Sequence, residues 1–337
     1  MSSASTVRMA LIGGGKFGIN LGLQIGKVEG AQLVAVNSRR LTSAEEAAHQ
    51  LGGRVYESYD DVLAASDIDA VVISTAHGSH HEYAIRAARA GKHVFCEKPM
   101  AISVAECRNM IKAAEDSGVC LLIGHSARLH YVSQLALKEL ESGSLGQPIA
   151  MTATRYGFQE RHGWWSRRDE YGGMLFSPAI HEIDLMNHIL GHPTQVFALA
   201  APRKQPQVDY DDTVFILISY ENGSIGSLSA SLSDRLDDSV TNELARITCE
   251  RGSIAWSLQG NPWIEIQPQD GSLILRELPE DYDPWSAVRQ EFFNFIDWIA
   301  SRAAPFITPQ EALSAVAVCE AANLSLETGV PQPISLK

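Results

Sequence analysis

The chain has 337 residues, 45% of them hydrophobic and 20% charged, and carries a formal charge of −13. This is ordinary globular composition, and the length accommodates about two domains. The acidic balance excludes the basic surface that a nucleic acid or an anionic membrane rewards, so a phosphate-bearing cofactor must be held by local groups.

The amino-terminal Met1 to Thr6 is short and polar, and no apolar run reaches the ~18 residues a membrane span needs. Five cysteines (Cys96, Cys107, Cys120, Cys249 and Cys319) are odd in number, widely spaced and without zinc-type spacing. Reduced, buried thiols in a cytoplasmic protein are the expectation, with no metal.

Val7 to Ile12 reads as a strand that runs straight into Gly13-Gly-Gly15-Lys16-Phe17-Gly18 and then a helix with an apolar stripe at Phe17, Leu21, Ile25 and Val28. This is G-x-G-x-x-G in the setting that gives it meaning. Gly13 makes the tight turn, Gly15 lets the backbone approach a pyrophosphate, and Gly18 lets helix and strand pack closely. The new helix aims unpaired N–H groups and its positive dipole end at the anion. Gly13, Gly15, Lys16, Phe17 and Gly18 are therefore expected to hold a dinucleotide.

Leu33 to Val36 is a second strand, followed by Asn37-Ser38-Arg39-Arg40. An acidic residue here would bind a ribose 2′-OH; a small hydroxyl and two guanidinium groups suit a 2′-phosphate instead, which favours NADP(H), with NAD(H) as the alternative. Thr42 with Glu45 reads as a capping box. Val55-Tyr56 opens a short third strand, and Ala70 to Ser74 is a fourth, apolar throughout. Thr75, His77 and His80 follow it; the histidines either line a nicotinamide pocket or begin an exposed helix capped by Ser79 and Glu82. His93 to Cys96 is the fifth strand and ends in Glu97-Lys98-Pro99, where the proline disfavours helix at Lys98. Ser103 with Glu106 caps the next helix, and Val119 to Ile123 is the sixth strand. Six such steps imply an α/β fold, a doubly wound parallel sheet of Rossmann type over residues 1–124.

The pattern then changes. A helix at about Tyr131 to Glu141 leads to a strand from Ile149, a polar, aromatic and Arg-rich loop, and a helix from Pro178 capped by Ser177. β-rich runs follow from about Val196, at 214–218, 224–231, 245–249, 263–266 and 273–275, with hairpin turns at Glu221-Asn-Gly223 and Gln269-Asp-Gly271. Apolar-periodic helices at about 286–301 and 309–328 close the chain. Residues 125–337 thus read as an α+β domain on a large, open, mainly antiparallel sheet, whose uncovered face suits a homodimer or homotetramer.

Within Gly172 to Gly191, His181 lies in the first turn of a helix with Asp184 and His188 along the same face. A metal site is one reading, but the spacing is too drawn out for easy tetrahedral closure. Polar cross-linking of the helix is a second, and an acid/base role for His181 a third. Upstream, Arg155, Tyr156, Arg161, His162, Trp164, Trp165, Arg167 and Arg168 offer ring faces for a sugar and guanidinium groups for an anion.

With the Gly loop, Glu97-Lys98-Pro99 and the Gly172 to Gly191 segment in this order, nearly the whole chain resembles the glucose–fructose oxidoreductase, inositol dehydrogenase and MocA-like family. The resemblance implies NAD(P)-dependent chemistry on sugars, polyols and related cyclic diols, carboxylated or neutral. It makes Lys98 the active-site lysine and His181 the proton-transferring residue. Asp184 matches a commonly acidic position near the substrate. Glu97 and Lys98 count among the cofactor-binding residues, and Lys98, Arg155, Trp165, Ser177, His181 and Asp184 among those facing the substrate. Ser177 stands where many members have Asp, which weakens transfer of a full Lys/Asp/His triad. A nucleotide-sensing regulator without catalysis and an NAD-assisted glycosidase are the competing readings.

Overall fold

The computed structural model describes residues 6–234, 243–258, 262–276, 278–279, 281–301 and 304–336; residues 1–5 of the polar amino terminus lie outside them. In chain order, β1 (Val7–Ile12), α1 (Lys16–Ile25), β2 (Ala31–Asn37), α2 (Leu41–Leu51), β3 (Arg54–Tyr56), α3 (Tyr59–Ala64) and β4 (Ala70–Ile73) come first. They are followed by α4 (His80–Arg89), β5 (His93–Glu97), α5 (Val104–Ser117), β6 (Leu121–Gly124), α6 (Tyr131–Glu141), β7 (Pro148–Tyr156), α7 (Arg168–Tyr171) and α8 (Ile180–Leu190). Then come β8 (Pro193–Ala200), β9 (Thr213–Tyr220), β10 (Ile225–Ser231), β11 (Leu244–Cys249), β12 (Gly252–Ser257), β13 (Trp263–Pro268) and β14 (Ile274–Arg276). The chain closes with α9 (Ser286–Ser301), α10 (Pro309–Thr328) and β15 (Gln332–Pro333).

One compact unit comprises Met1–His125 with Trp285–Leu313. Its six strands are parallel in the order β3-β2-β1-β4-β5-β6, as the apolar runs require: β4 is buried at every position because both sheet faces are covered. The order reverses between β1 and β4, and the crevice outside the carboxyl ends there is where such sheets take ligands. The domain division is not a single cut near residue 124, because α9 belongs to this unit. Phe292 stacks on Phe95 of β5 at 4.5 Å between ring centroids, and Phe295 meets it edge-on at 5.9 Å. Those contacts join positions about 200 apart in the chain, which no local pattern reveals.

The other unit comprises Ser126–Pro284 and Ser314–Lys337. Its sheet runs β14-β13-β12-β11-β7-β10-β9-β8-β15, antiparallel except where β10 pairs with β7. β12 was not among the expected strands. It pairs with β11 through a tight turn at Glu250-Arg251, and its apolar signal is confined to Ile254 and Trp256. α8 packs on β7 and β10, and α6 on β12 and β13. On β9 the alternation puts Phe215 and Leu217 outward, 53% and 60% exposed, with Leu199 of β8 opposite Phe215 and also exposed. No helix among the described residues is long and apolar enough to cross a membrane, and all five cysteines are buried and free.

Candidate active site

The loop from β1 to α1 separates the three glycines by what each is for. Gly13 sits at φ +112°, and a Cβ there would lie 2.2 Å from the Ser74 carbonyl oxygen at the end of β4. A Cβ on Gly18 would lie 2.1 Å from the Gly13 carbonyl oxygen. Both are required by the protein's own packing. Gly15 is different: at φ −75° and ψ 171° any residue is comfortable, and a Cβ would meet nothing within 4 Å. The N-terminus of α1 beside it has no side-chain cap and no acidic residue in its first turn. Open space over a bare helix N-terminus fits a dinucleotide pyrophosphate. Lys16 and Phe17 are exposed; Phe17 lies off the buried stripe of Gly18, Leu21 and Ile25 and approaches Trp285 at 6.3 Å.

At the end of β2, the Asn37 amide donates to the Tyr56 carbonyl at 2.8 Å, Ser38 is half-buried, and Arg39 and Arg40 are exposed with no ion pair among the described residues. The Thr42 capping box does not form, because α2 already begins at Leu41 with Arg40 in the cap position.

Beyond β4, the Ser79 hydroxyl donates to Thr75 Oγ1 at 2.8 Å and to the Ala76 carbonyl instead of capping α4. His77 is buried. His80 has no exposed surface: Nδ1 lies 2.8 Å from the Pro99 carbonyl oxygen and Nε2 3.3 Å from that of Thr75. A neutral ring donates through only one nitrogen, and the shorter contact assigns that proton to Nδ1. Burial, aided by the charge of Lys98, pushes this imidazole down to about 4. His80 is therefore a brace between the loop after β4 and the segment after Lys98, not the pocket wall or exposed helix start expected of it. The Lys98–Pro99 peptide is cis, and Lys98 is half-buried.

Glu97 is buried, and its carboxyl is pushed up to about 7 by burial against the opposing charge of Lys98. Gly124, its partner across β6, makes room for it, since a Cβ there would stand 3.0 Å from Glu97 Oε1. Glu291 of α9 is 1% exposed with neither carboxyl oxygen partnered among the described residues; burial and Glu97 raise it well above the usual range.

In the second unit, Met174 to Ala179 form turns and α8 begins only at Ile180, so Ser177 does not cap it; its hydroxyl meets the phenol of Tyr171. His181 stands half-buried in the first turn. Asp184 is fully buried in a two-pronged pair with Arg128: Nε donates to Oδ2 at 2.8 Å and Nη2 to Oδ1 at 2.7 Å. The third nitrogen, Nη1, lies 3.1 Å from His188 Nδ1. Arg155 lies 3.1 Å from Glu182 and 2.6 Å from Glu243. Glu182 is pushed up to about 7 by burial, with Arg155 opposing and Glu243 adding. His130, close by, is pushed down to about 4 by burial and by Arg155.

Two expected substrate contacts are thus occupied by internal pairs: Asp184 by Arg128, and Arg155 by Glu182 and Glu243. The second-polar-role reading of α8, cross-linking, applies to Asp184 and His188. Trp165 is exposed and stacks on Tyr171 at 6.0 Å with 11° between planes, while Tyr210 donates to the Trp165 carbonyl at 2.7 Å. Among the described residues no cluster of three His, Cys, Asp or Glu side chains could hold a metal ion. The first unit gathers Gly13, Gly15, Ser38, Thr75 and Lys98 at the carboxyl edge of one sheet; His181 belongs to the other unit. Arg128, Glu182, Glu243 and Glu291 were missed. Nothing local marks them: Glu182 stands between His181 and Asp184, Glu243 follows Thr241-Asn242, and Glu291 lies two residues after Arg289, so burial alone sets them apart.

A family model described as an oxidoreductase family with an NAD-binding Rossmann fold matches residues 7–125, and a GFO/IDH/MocA C-terminal domain model matches residues 134–255. A 2,7-anhydro-N-acetylneuraminate hydratase of Mediterraneibacter gnavus is 30% identical over 64% of this chain and 59% of its own length. The chain spans 59% to 61% of the first curated relatives it matches. A D-xylose 1-dehydrogenase (NADP(+)) of Haloferax volcanii is 26% identical over 88% of this chain and 90% of its own. In three dimensions, a levoglucosan dehydrogenase in complex with NADH and L-sorbose superimposes with a TM-score of 0.91 at 21% identity, covering 98% and 99% of the two chains.

Proposed function

The chain belongs to the GFO/IDH/MocA oxidoreductase family, and from that premise we propose that it oxidises or reduces a secondary alcohol or carbonyl of a sugar, polyol or related cyclic diol with NADP(H). The observation that carries this reading is the empty space over Gly15 at the uncapped start of α1, on the same sheet edge as Lys98. When bound, the nicotinamide accepts or supplies the hydride equivalent at the reacting carbon. The backbone of Gly13 to Gly18 holds the pyrophosphate, and Ser38, Arg39 and Arg40 take the 2′-phosphate. Two exposed guanidinium groups without an ion pair among the described residues, and no acid at the end of β2, support NADP(H) over NAD(H).

His181 takes the substrate hydroxyl proton on oxidation and returns it on reduction, as an imidazole near neutrality does. Lys98 assists by stabilising negative charge that develops in the reaction. A second copy of the chain covers the apolar outer face around Phe215 and Leu217, giving a homodimer or homotetramer. The test is steady-state kinetics on a panel of polyols and sugars with both cofactors. His181→Ala and Lys98→Met should each lower kcat at least about 100-fold, His181→Ala with little change in NADPH affinity. Unchanged turnover in both variants, or a higher kcat/KM with NAD than with NADP, removes the corresponding assignment.

A further inference from the structure

Arg161 lies in the irregular segment after β7 and is 3% exposed, yet it has no ion pair among the described residues. Its guanidinium lies 4.5 Å over the ring of Trp165 and 5.0 Å over that of Tyr171, and it hydrogen-bonds the Tyr171 phenol. Nε and Nη1 are buried without a hydrogen-bond partner among the described residues. Two neighbouring guanidinium groups of this unit, the buried Arg128 and the half-buried Arg155, are both matched to carboxylates. A buried cation lacking a counter-charge is costly, and aromatic faces offset only part of that. A residue kept only for packing needs the stem, not the charge. Such a charge is retained when an anion arrives to meet it.

Resting on the oxidoreductase reading, we propose that Arg161 receives a carboxylate carried by the substrate, so that the alcohol acted on belongs to a sugar acid or a carboxylated cyclic alcohol. One unmatched positive charge answers one negative charge, which suits a carboxylate better than a phosphate dianion on a chain already at −13. The Trp165 ring over the guanidinium is 38% exposed, which brings this cluster to the protein surface. The Tyr171 ring, stacked on Trp165, is the second ring against the guanidinium, and its phenol meets Ser177.

The experiment titrates the intact protein with matched pairs (glucuronate and glucose, galacturonate and galactose, gluconate and sorbitol) and with glucose 6-phosphate, following tryptophan fluorescence and NADP-linked turnover. At least one acid should bind about 10-fold or more tightly than its neutral partner, and Arg161→Met should weaken the acid about 10- to 100-fold while leaving the neutral partner and NADPH unchanged. Arg161→Lys, which keeps the charge but not the fork, should recover part of the loss. The Arg161→Met melting temperature should not fall below that of the unmodified chain, because a lone buried charge has been removed. Acids that bind no better than their neutral partners, tighter binding of the phosphate, or equal losses for acid and neutral ligand in Arg161→Met would each overturn the proposal. Arg161-dependent acid binding with no turnover of any compound overturns the oxidoreductase reading instead. Turnover confined to neutral compounds leaves that reading intact and removes this one.

Discussion

Substituting alanine at two neighbouring glycines should split stability from cofactor affinity. At Gly13 a Cβ would sit 2.2 Å from a backbone oxygen at φ +112°, where nothing flexible can yield. Gly13→Ala should destabilise by about 3 kcal/mol or more, a drop in melting temperature of about 4 °C or more for a chain of this size. At Gly15 the backbone is ordinary and the space open. Restricting the unfolded chain gains about 0.4–1 kcal/mol, and replacing glycine by alanine at a helix N-cap loses a similar amount. Gly15→Ala should therefore melt within about 3 °C of the unmodified chain. Its Cβ would nevertheless occupy the approach to the α1 N–H groups. Losing one charge-assisted hydrogen bond to the pyrophosphate, about 1.5–3 kcal/mol, raises the NADPH dissociation constant about 10- to 150-fold. Differential scanning fluorimetry and a fluorescence titration with NADPH measure the two quantities on one sample. If Gly15→Ala binds NADPH as the unmodified chain does, the loop is not where the pyrophosphate lies and the reasoning fails.

Phe215→Glu on the outward face of β9 should shift the protein to a smaller assembly by light scattering, since a charge at an apolar contact removes about 2 kcal/mol or more; an unchanged mass would clear that face of any role in assembly. Glu97, raised to about 7, gives stability that is fully present below the unfolded carboxylate value and is lost as pH rises through 7. Glu97→Gln should therefore gain on the unmodified chain by up to about 3 kcal/mol between pH 5 and pH 8 in chemical denaturation, and a constant difference across that range contradicts the buried-acid account. His80, lowered to about 4, has the opposite sign: its contribution is full above 6.5 and lost as pH falls through 4, so His80→Gln should flatten the acid limb between those values. Arg128→Met alone leaves Asp184 charged and buried and should cost about 3–5 kcal/mol; adding Asp184→Leu should restore most of it. No recovery in the double variant would mean that the pair contributes net stability.

What was legible in the chain is what short-range geometry determines. The β1–loop–α1 unit reads directly because its glycines, apolar strand and helix lie within one stretch of residues. The parallel, doubly wound sheet follows from regular strand–helix alternation, and α6, α9 and α10 follow from periodicity. Helix starts were less secure where the hydroxyl found a different partner: Ser79 turns back to Thr75, and Ser177 goes to Tyr171. Ser103, with nothing competing for it, accepts from the Glu106 amide as a cap should. The buried charge network was illegible for a different reason. Arg128 and Asp184 are separated by 56 residues, and neither carries a local mark of its partner. For the same reason α9 gives no sign that it belongs with the first sheet until Phe292 is seen on Phe95.

The network around α8 also explains why a protein would bury charges it does not need for stability. Pairs such as Arg128–Asp184 and Arg155–Glu182 recover little net free energy once desolvation is counted. What they fix is orientation. On a helix turning about 100° per residue, Glu182 and Asp184 project about 160° apart, with His181 between them. An arginine from outside the helix grips each one: Arg128 from the segment after β6, Arg155 from β7. Pinned on both flanks, α8 cannot roll in either direction without breaking a buried pair, and breaking one is far more costly than never having formed it. The position of the His181 imidazole is thereby set by residues that need never touch a ligand. Asp184 acts on His181 only through the helix, fully buried and locked to Arg128.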